Sequence, residues 1–371
     1  MAVFINSLNI AEFRGIRDLK AQNLNHINII SGDNNSGKTS ILEAVNLLKN
    51  PLSVYDLLTD PKFMRERAVI FPFSLSTWFD CFLNMLSGDE LGFKVGASTA
   101  EGDIDLELSG KTETVIIDKN SPLYNMSGVY TRSAKSEQIE TIMFSGVYKC
   151  TINSDFKSFP IEITPYMPAT NLPRNNKKFL NITYLSPSRH LQGNNFSNIV
   201  RSGSYKDLCV FLLQMFDSDI EDLLYIKNDF TNRPVEAVRH KKLGVMPLST
   251  YGDGIKKVIS LANGVASAKD GILMIDEIET SIHSRYYNDV FSFLLKACLQ
   301  YNIQLFITTH SKEAIDALLY TQNYTGENAA DDPISVITFR QDKEHSKTLS
   351  RTLSGSETLK NREKFDFEVR I

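Results

Sequence analysis

The 371-residue sequence contains no apolar run long enough to span a bilayer, which takes about 20 residues. Its opening, Met1–Ile10, alternates apolar and polar residues, so no secretory leader and no membrane association are expected. Cysteine is scarce. Cys81, Cys150, Cys209 and Cys298 lie far apart with no CxxC pair, which excludes a zinc ribbon or a disulfide framework and fits a reducing cytoplasm. Basic residues are not in excess either: 40 Lys and Arg face 44 Asp and Glu, a net charge of −4, so overall charge does not favour duplex binding. Sustained heptads, internal repeats and low-complexity tracts are missing, which argues against a long coiled-coil arm or a solenoid. What remains is an ordinary globular composition, 42% hydrophobic and 23% charged, on a chain long enough for a sizeable core.

The patterning divides this chain into α/β and β-rich stretches. Phe4–Ile10 and His26–Ile30 read as strands joined through Phe13-Arg14-Gly15-Ile16, and Ile41, Leu42, Val45 and Leu48 mark one face of a helix over Ser40–Lys49. Asn50-Pro51 ends that helix. From Leu91 to Met167, alternation such as Ile104-Asp105-Leu106-Glu107-Leu108 predicts an antiparallel β-rich section. A helix is expected over Ser204–Ile226, with Leu208, Phe211, Leu212, Met215 and Phe216 on one side. After Asp270 come a buried strand, a helix (Ser284–Gln300), a second buried strand (Gln304–Thr309) and a helix (Lys312–Tyr320), an alternation that implies a mainly parallel sheet.

Gly32-Asp-Asn34-Asn35-Ser36-Gly37-Lys38-Thr39 fits GxxxxGK[ST] at every fixed position and is followed by Ser40. The two glycines let consecutive N–H groups face a phosphate, and the helix behind them adds its dipole. Lys38 would reach the β- and γ-phosphates of ATP, and the Thr39 hydroxyl would ligate Mg²⁺. Ile272–Ile275 then ends in Asp276-Glu277. A buried parallel strand presents ligands at its carboxyl end, so Asp276 would hold Mg²⁺ and Glu277 would act as general base toward water. Gln304–Thr309 ends in His310, whose neutral ring could bond the γ-phosphate and orient that water. Gly252 and Gly254 open a helix over Ile255–Asn263, which Gly264 would terminate, and make a second phosphate-accepting N-terminus.

These elements, in this order, resemble an ABC-type ATPase head. Gly32–Thr39 is similar to the GENNSGKT loop of the overcoming-lysogenization-defect (OLD) ATPases, Asp276–His283 to their DEIE…LH segment, and Thr308–Ser311 to their TTHS. Tyr251–Gly254 resembles their degenerate signature loop, and Leu8–Ile16 their first strands, where the Arg14 position lies near the nucleotide. The resemblance implies one ATPase domain over 1–371: a nucleotide-binding core from 1–50 and 266–371, a β-rich section over 88–168, and a helical subdomain over 190–265 carrying the signature loop. It also implies head-to-tail dimers, or multiples of dimers, that sandwich ATP. In full-length OLD nucleases a TOPRIM domain follows the head, but only 61 residues follow His310 here and they contain no DxD cluster.

The expectation is therefore a regulatory ATPase that controls a separate effector, a TOPRIM-type nuclease, in anti-phage defence of the PARIS or Septu kind. A DNA-repair or chromosome ATPase of the RecF or SMC type is the alternative. Basic clusters at Arg174, Lys177, Lys178 and at Arg239, Lys241, Lys242 would then offer local contacts to nucleic acid. A transporter's nucleotide-binding subunit is disfavoured by the inserted β-rich section.

Overall fold

The computed structural model describes residues 3–33, 36–65, 76–87, 90–118, 138–167, 172–193, 196, 198–200, 203–228, 232–324, 332–342 and 347–365. Asn34 and Asn35 of the phosphate loop lie outside the described residues.

The chain begins with a hairpin, β1 (Ile5–Phe13) and β2 (Ile16–Ala21), then β3 (Ile27–Ser31) and the helix α1 (Lys38–Asn46). Phe13–Ile16 is thus a tight hairpin turn rather than a link between the first two expected strands. Arg14 takes a left-handed φ of 52° there, and Arg14-Gly15 leads into an additional strand. Two helices, α2 (Val54–Arg65) and α3 (Ser76–Leu83), precede β4 (Leu91–Thr99), β5 (Gly102–Asp118), β6 (Gln138–Ile152) and β7 (Asp155–Ile163). Next come β8 (Ile182–Leu185), α4 (Gly203–Gln214), β9 (Ile220–Lys227), β10 (Pro234–His240) and β11 (Gly244–Pro247). The chain continues through α5 (Asp253–Ser267), β12 (Gly271–Ile275), α6 (Tyr287–Gln300), β13 (Ile303–Thr309) and α7 (Lys312–Leu319), and then through β14 (Ile334–Asp342), β15 (Lys347–Ser354) and α8 (Gly355–Phe365).

Among the described residues three sheets form. One has the order β15-β14-β3-β13-β12-β8, one β2-β1-β4-β5-β6-β7, and one β11-β10-β9. In the first, β14, β3, β13, β12 and β8 run parallel and only the edge strand β15 is antiparallel. The other two are antiparallel throughout. The parallel strands have continuous apolar runs because both faces are covered. Along β12, Ile272 and Met274 join one core while Leu273 and Ile275 join the other. Along β13, Phe306 faces the first core, and Leu305 and Ile307 the second. Helix α1 is packed into the first core through Ile41, Leu42, Ala44 and Val45, which ties the parallel sheet to the N-terminal antiparallel one. Buried Gln304 on β13 reinforces that junction. Its amide oxygen accepts from the Ile5 N–H and its Nε2 donates to the Ile5 carbonyl, each at 2.8 Å, so a polar group is buried without losing its partners.

Two expectations fail. The helix over Ser204–Ile226 stops at Gln214, and residues 220–227 form β9. The core-facing residues of α4 are Cys209, Leu212 and Leu213, while Phe211 and Met215 are exposed. The segment expected as a helical subdomain, 190–265, therefore also carries a three-stranded sheet, in which Ile220–Lys227 pairs with β10. Gly264, expected as a helix stop, lies inside α5. A Cβ at Gly264 would come within 2.6 Å of Leu185 Cδ1, so glycine is needed there for close packing of α5 on β8.

Candidate nucleotide site

The phosphate loop joins the carboxyl end of β3 to the N-terminus of α1. Gly37 caps α1 with φ 107°, a conformation that favours glycine. At Gly32 a Cβ would lie 2.8 Å from Ser36 Oγ and 3.4 Å from the Phe339 carbonyl, so a side chain there would require Ser36 to move. Lys38 is buried, and its ammonium donates 2.7 Å hydrogen bonds to the carbonyls of Gly32 and Asp33. Burial lowers its pKa, against the opposing pull of Glu279, Asp276, Glu277 and Asp33.

Parallel pairing of β12 and β13 beside β3 brings the remaining residues to the same edge. Buried Asp276 accepts hydrogen bonds from three hydroxyls: Thr39 Oγ1 at 2.9 Å, Tyr184 OH at 3.2 Å and Thr308 Oγ1 at 2.5 Å. Its own N–H donates to the Leu185 carbonyl at the end of β8. Adjacent ligands of an octahedral Mg²⁺, each about 2.1 Å from the ion, stand about 3.0 Å apart. The Thr39 hydroxyl and Asp276 carboxylate match that edge and could hold the ion.

Glu277 begins a non-helical turn with a left-handed φ of 48°. Such a conformation in a non-glycine residue costs about 1–3 kcal/mol and persists only where its surroundings enforce it. Here the Glu277 N–H donates to Thr308 Oγ1 at 2.8 Å, and Thr280 Oγ1 approaches its carboxylate at 3.4 Å. His310 follows β13 and is half-exposed. Its backbone N–H donates to Glu279 Oε1, and its ring Nδ1 lies 3.0 Å from the same oxygen.

Arg14 lines a cleft of about 460 Å³ together with Gly15, Ile16, Gly37 and Ser40. Its guanidinium is paired with buried Glu43 of α1 and donates to the Asn84 carbonyl at 2.8 Å. Gly252 and Gly254 sit at the start of α5, where Gly252 has open space around it. That end meets the Ser281 turn, with a Cβ on Gly254 falling 3.3 Å from the Ser281 carbonyl. Asp253 occupies its first turn and pairs with Lys256 at 3.1 Å.

Sequence reasoning overlooked Tyr184, Thr308, Glu279 and Glu43. Thr308 and Glu279 stood inside recognised motifs, but no pattern shows that they face the Asp276 and His310 groups. The short run Ile182–Leu185 before Ser186-Pro187 was the available signal for the strand that carries Tyr184. The basic clusters are exposed. Arg174 stacks over the Tyr55 ring at 3.7 Å and Lys242 pairs with Asp219 at 2.5 Å. No helix among the described residues is long and apolar enough to cross a membrane.

A phosphate loop and a strand-borne aspartate meeting at one edge of a mainly parallel sheet define an ABC-type P-loop ATPase head. A family model described as an AAA ATPase domain matches residues 4–232, more than half of the chain, and the protein belongs to that family. An ATP/GTP phosphatase of Helicobacter pylori (strain ATCC 700392 / 26695) is 24% identical over 346 residues, spanning 85% of this chain and 87% of that protein. The DNA replication and repair protein RecF of Idiomarina loihiensis is 50% identical over 46 residues, 12% of this chain and 13% of the other. Among solved structures, an SmcHead bound to the C-winged helix domain of ScpA aligns over 96% of this chain and 100% of that one, with a TM-score of 0.49 and 13% identity.

Proposed function

We propose that this ATPase binds ATP with Mg²⁺ on Gly32–Ser40, hydrolyses it with Glu277 and His310, and uses its two nucleotide states to control a separate protein. The observation that supports the reading is the 2.9 Å hydrogen bond from Thr39 to Asp276, which brings the phosphate loop and the strand-borne aspartate together across 237 positions. The loop N–H groups and the α1 dipole bind phosphate oxygens, and Lys38 exchanges its two loop carbonyls for the β- and γ-phosphates. Mg²⁺ held by Thr39 and Asp276 would supply Lewis-acid neutralisation of phosphate charge. Glu277 takes the proton of the attacking water, and His310, braced by Glu279, orients that water. Replacing Glu277 with Gln is expected to preserve ATP binding and abolish most phosphate release, and Lys38→Ala to lose binding. Wild-type turnover in the Glu277 variant would sink the assignment.

The open N-terminus of α5 supports a second element of the reading. Gly252 and Gly254 meet the γ-phosphate of another copy, so two heads close head to tail over ATP. Differential contacts in the ATP and ADP states are the means by which a head acts on something else. Given the resemblance to OLD ATPases, that partner is a TOPRIM-type nuclease and the setting anti-phage defence. Co-expression with the product of the adjacent gene, followed by pull-down with ATP or ADP, tests it. Absence of any nucleotide-dependent partner would contradict the regulatory role. A second reading, direct action on DNA as a repair or chromosome ATPase, is favoured by the local likeness to RecF. It predicts ATP-dependent DNA binding that weakens when Arg174, Lys177 and Lys178 are neutralised.

A further inference from the structure

Tyr184 lies on β8 beside Met274 of β12 and takes part in none of the steps above. Its hydroxyl donates to Oδ2 of buried Asp276 at 3.2 Å and approaches the Met64 carbonyl at 3.4 Å. A phenol has one proton to give. Both separations exceed the usual O–H···O distance of about 2.8 Å, as expected when one proton is shared between two acceptors. The Met64 carbonyl belongs to the last turn of α2, where helix carbonyls lack a partner within the helix. Helix α2 is itself tied to α1 through Asp60, which accepts from Asn46 at 2.9 Å and from Lys49 at 3.2 Å. The hydroxyl is thus fixed from the α2 side where it meets the carboxylate that follows β12. The other oxygen of Asp276, Oδ1, accepts from Thr308 at 2.5 Å. Each oxygen of this carboxylate therefore has a donor that lies outside the phosphate loop.

We propose that Tyr184 is a positioning residue for the magnesium ligand Asp276: together with Thr308 it fixes the plane of the carboxylate so that Oδ2 faces Thr39. A carboxylate held at one oxygen can turn about its Cβ–Cγ bond, a torsion with broad preferences. Held at both oxygens, it cannot. Thr39 does not serve as the second anchor, because its own hydroxyl oxygen is the companion ligand to the ion. Outer hydrogen bonds of this kind orient metal ligands, and losing one lowers metal affinity about 10–100-fold. The Tyr184 ring packs against the core that holds Met64, so Tyr184→Phe removes the hydroxyl and keeps the packing.

The inference rests on the reading of Thr39 and Asp276 as Mg²⁺ ligands, so its test separates metal binding from nucleotide binding and from turnover. Mn²⁺ is titrated into ADP-bound protein and followed by electron paramagnetic resonance, and ADP affinity is measured separately in EDTA. Tyr184→Phe is expected to lower Mn²⁺ affinity about tenfold or more and to leave ADP affinity in EDTA at the wild-type value. A merely structural role of the hydroxyl would move both affinities or neither. Unchanged Mn²⁺ affinity in a folded Tyr184→Phe protein overturns the proposal, as does an equal loss of metal-free ADP affinity. A crystal structure of the wild type with ADP and Mg²⁺ decides even if the variant does not fold: a Tyr184 hydroxyl more than about 3.5 Å from the Asp276 carboxylate overturns the proposal. If the wild type binds no Mn²⁺ beside ADP, the metal-site reading itself fails. If metal binding behaves as expected while the wild type does not hydrolyse ATP, the hydrolytic reading is wrong and the positioning contact stands.

Discussion

The Arg14–Glu43 pair offers a quantitative test of what the hairpin turn does beside the phosphate loop. The two side chains are 7% and 3% exposed and joined by two contacts, Nε to Oε2 at 2.5 Å and an Nη2 hydrogen bond to Oε1 at 3.1 Å. Removing one member leaves the other as a buried charge, which costs about 3–5 kcal/mol, whereas replacing both with apolar residues of similar size is often close to neutral. Glu43→Leu and Arg14→Leu are each expected to destabilise within that range, and the double variant much less than their sum. Urea unfolding followed by fluorescence suits the measurement, because the single tryptophan, Trp78, is buried in the same core as α1. Additive losses, or a single-variant cost below about 1 kcal/mol, would refute the assignment of a coupled buried pair. ATP affinity of the double variant gives a second answer. Arg14 lines the cleft beside Gly37 and Ser40, so a guanidinium that contacts nucleotide would cost affinity even where stability returns. A brace for α1 alone would not.

Three further outcomes are expected. In light scattering, Glu277→Gln with ATP should form a dimer or a multiple of dimers. A strictly monomeric ATP-bound species at low and high concentration would contradict head-to-tail closure. Burial lowers the Lys257 pKa to about 8 from an unfolded value of 10.5, so between those values the unfolded chain binds more protons and stability rises with pH. The gain amounts to about 3 kcal/mol at most, and Lys257→Met should abolish the rise and be more stable than wild type at pH 7 in denaturant titrations. Gly264→Leu should lower the unfolding midpoint, since even a Cβ meets Leu185 Cδ1 at 2.6 Å and overpacking costs about 1–3 kcal/mol or more. An unchanged midpoint would show that α5 and β8 can separate freely.

Much of this molecule was legible in its sequence. The phosphate loop declares itself because glycine spacing and a following helix are local requirements, and Ile272–Ile275 and Gln304–Thr309 declare themselves because strands covered on both faces must be apolar throughout. Helix α4 was overextended because the apolar residues of β9 continue its pattern, and only pairing with β10 distinguishes strand from helix there. Gly264 misled for a related reason. Glycine stops helices in isolation, but here a neighbouring strand requires a helix surface without a side chain. The partners that give the candidate site its character, Thr39 with Asp276, Glu279 with His310 and Arg14 with Glu43, are separated by 237, 31 and 29 positions. Sequence determined which chemical groups exist and which local elements carry them. Only the parallel register of β3, β13 and β12, and the packing of α1 and α5 around them, decided which groups meet, because distances across a sheet depend on strand order and not on position along the chain.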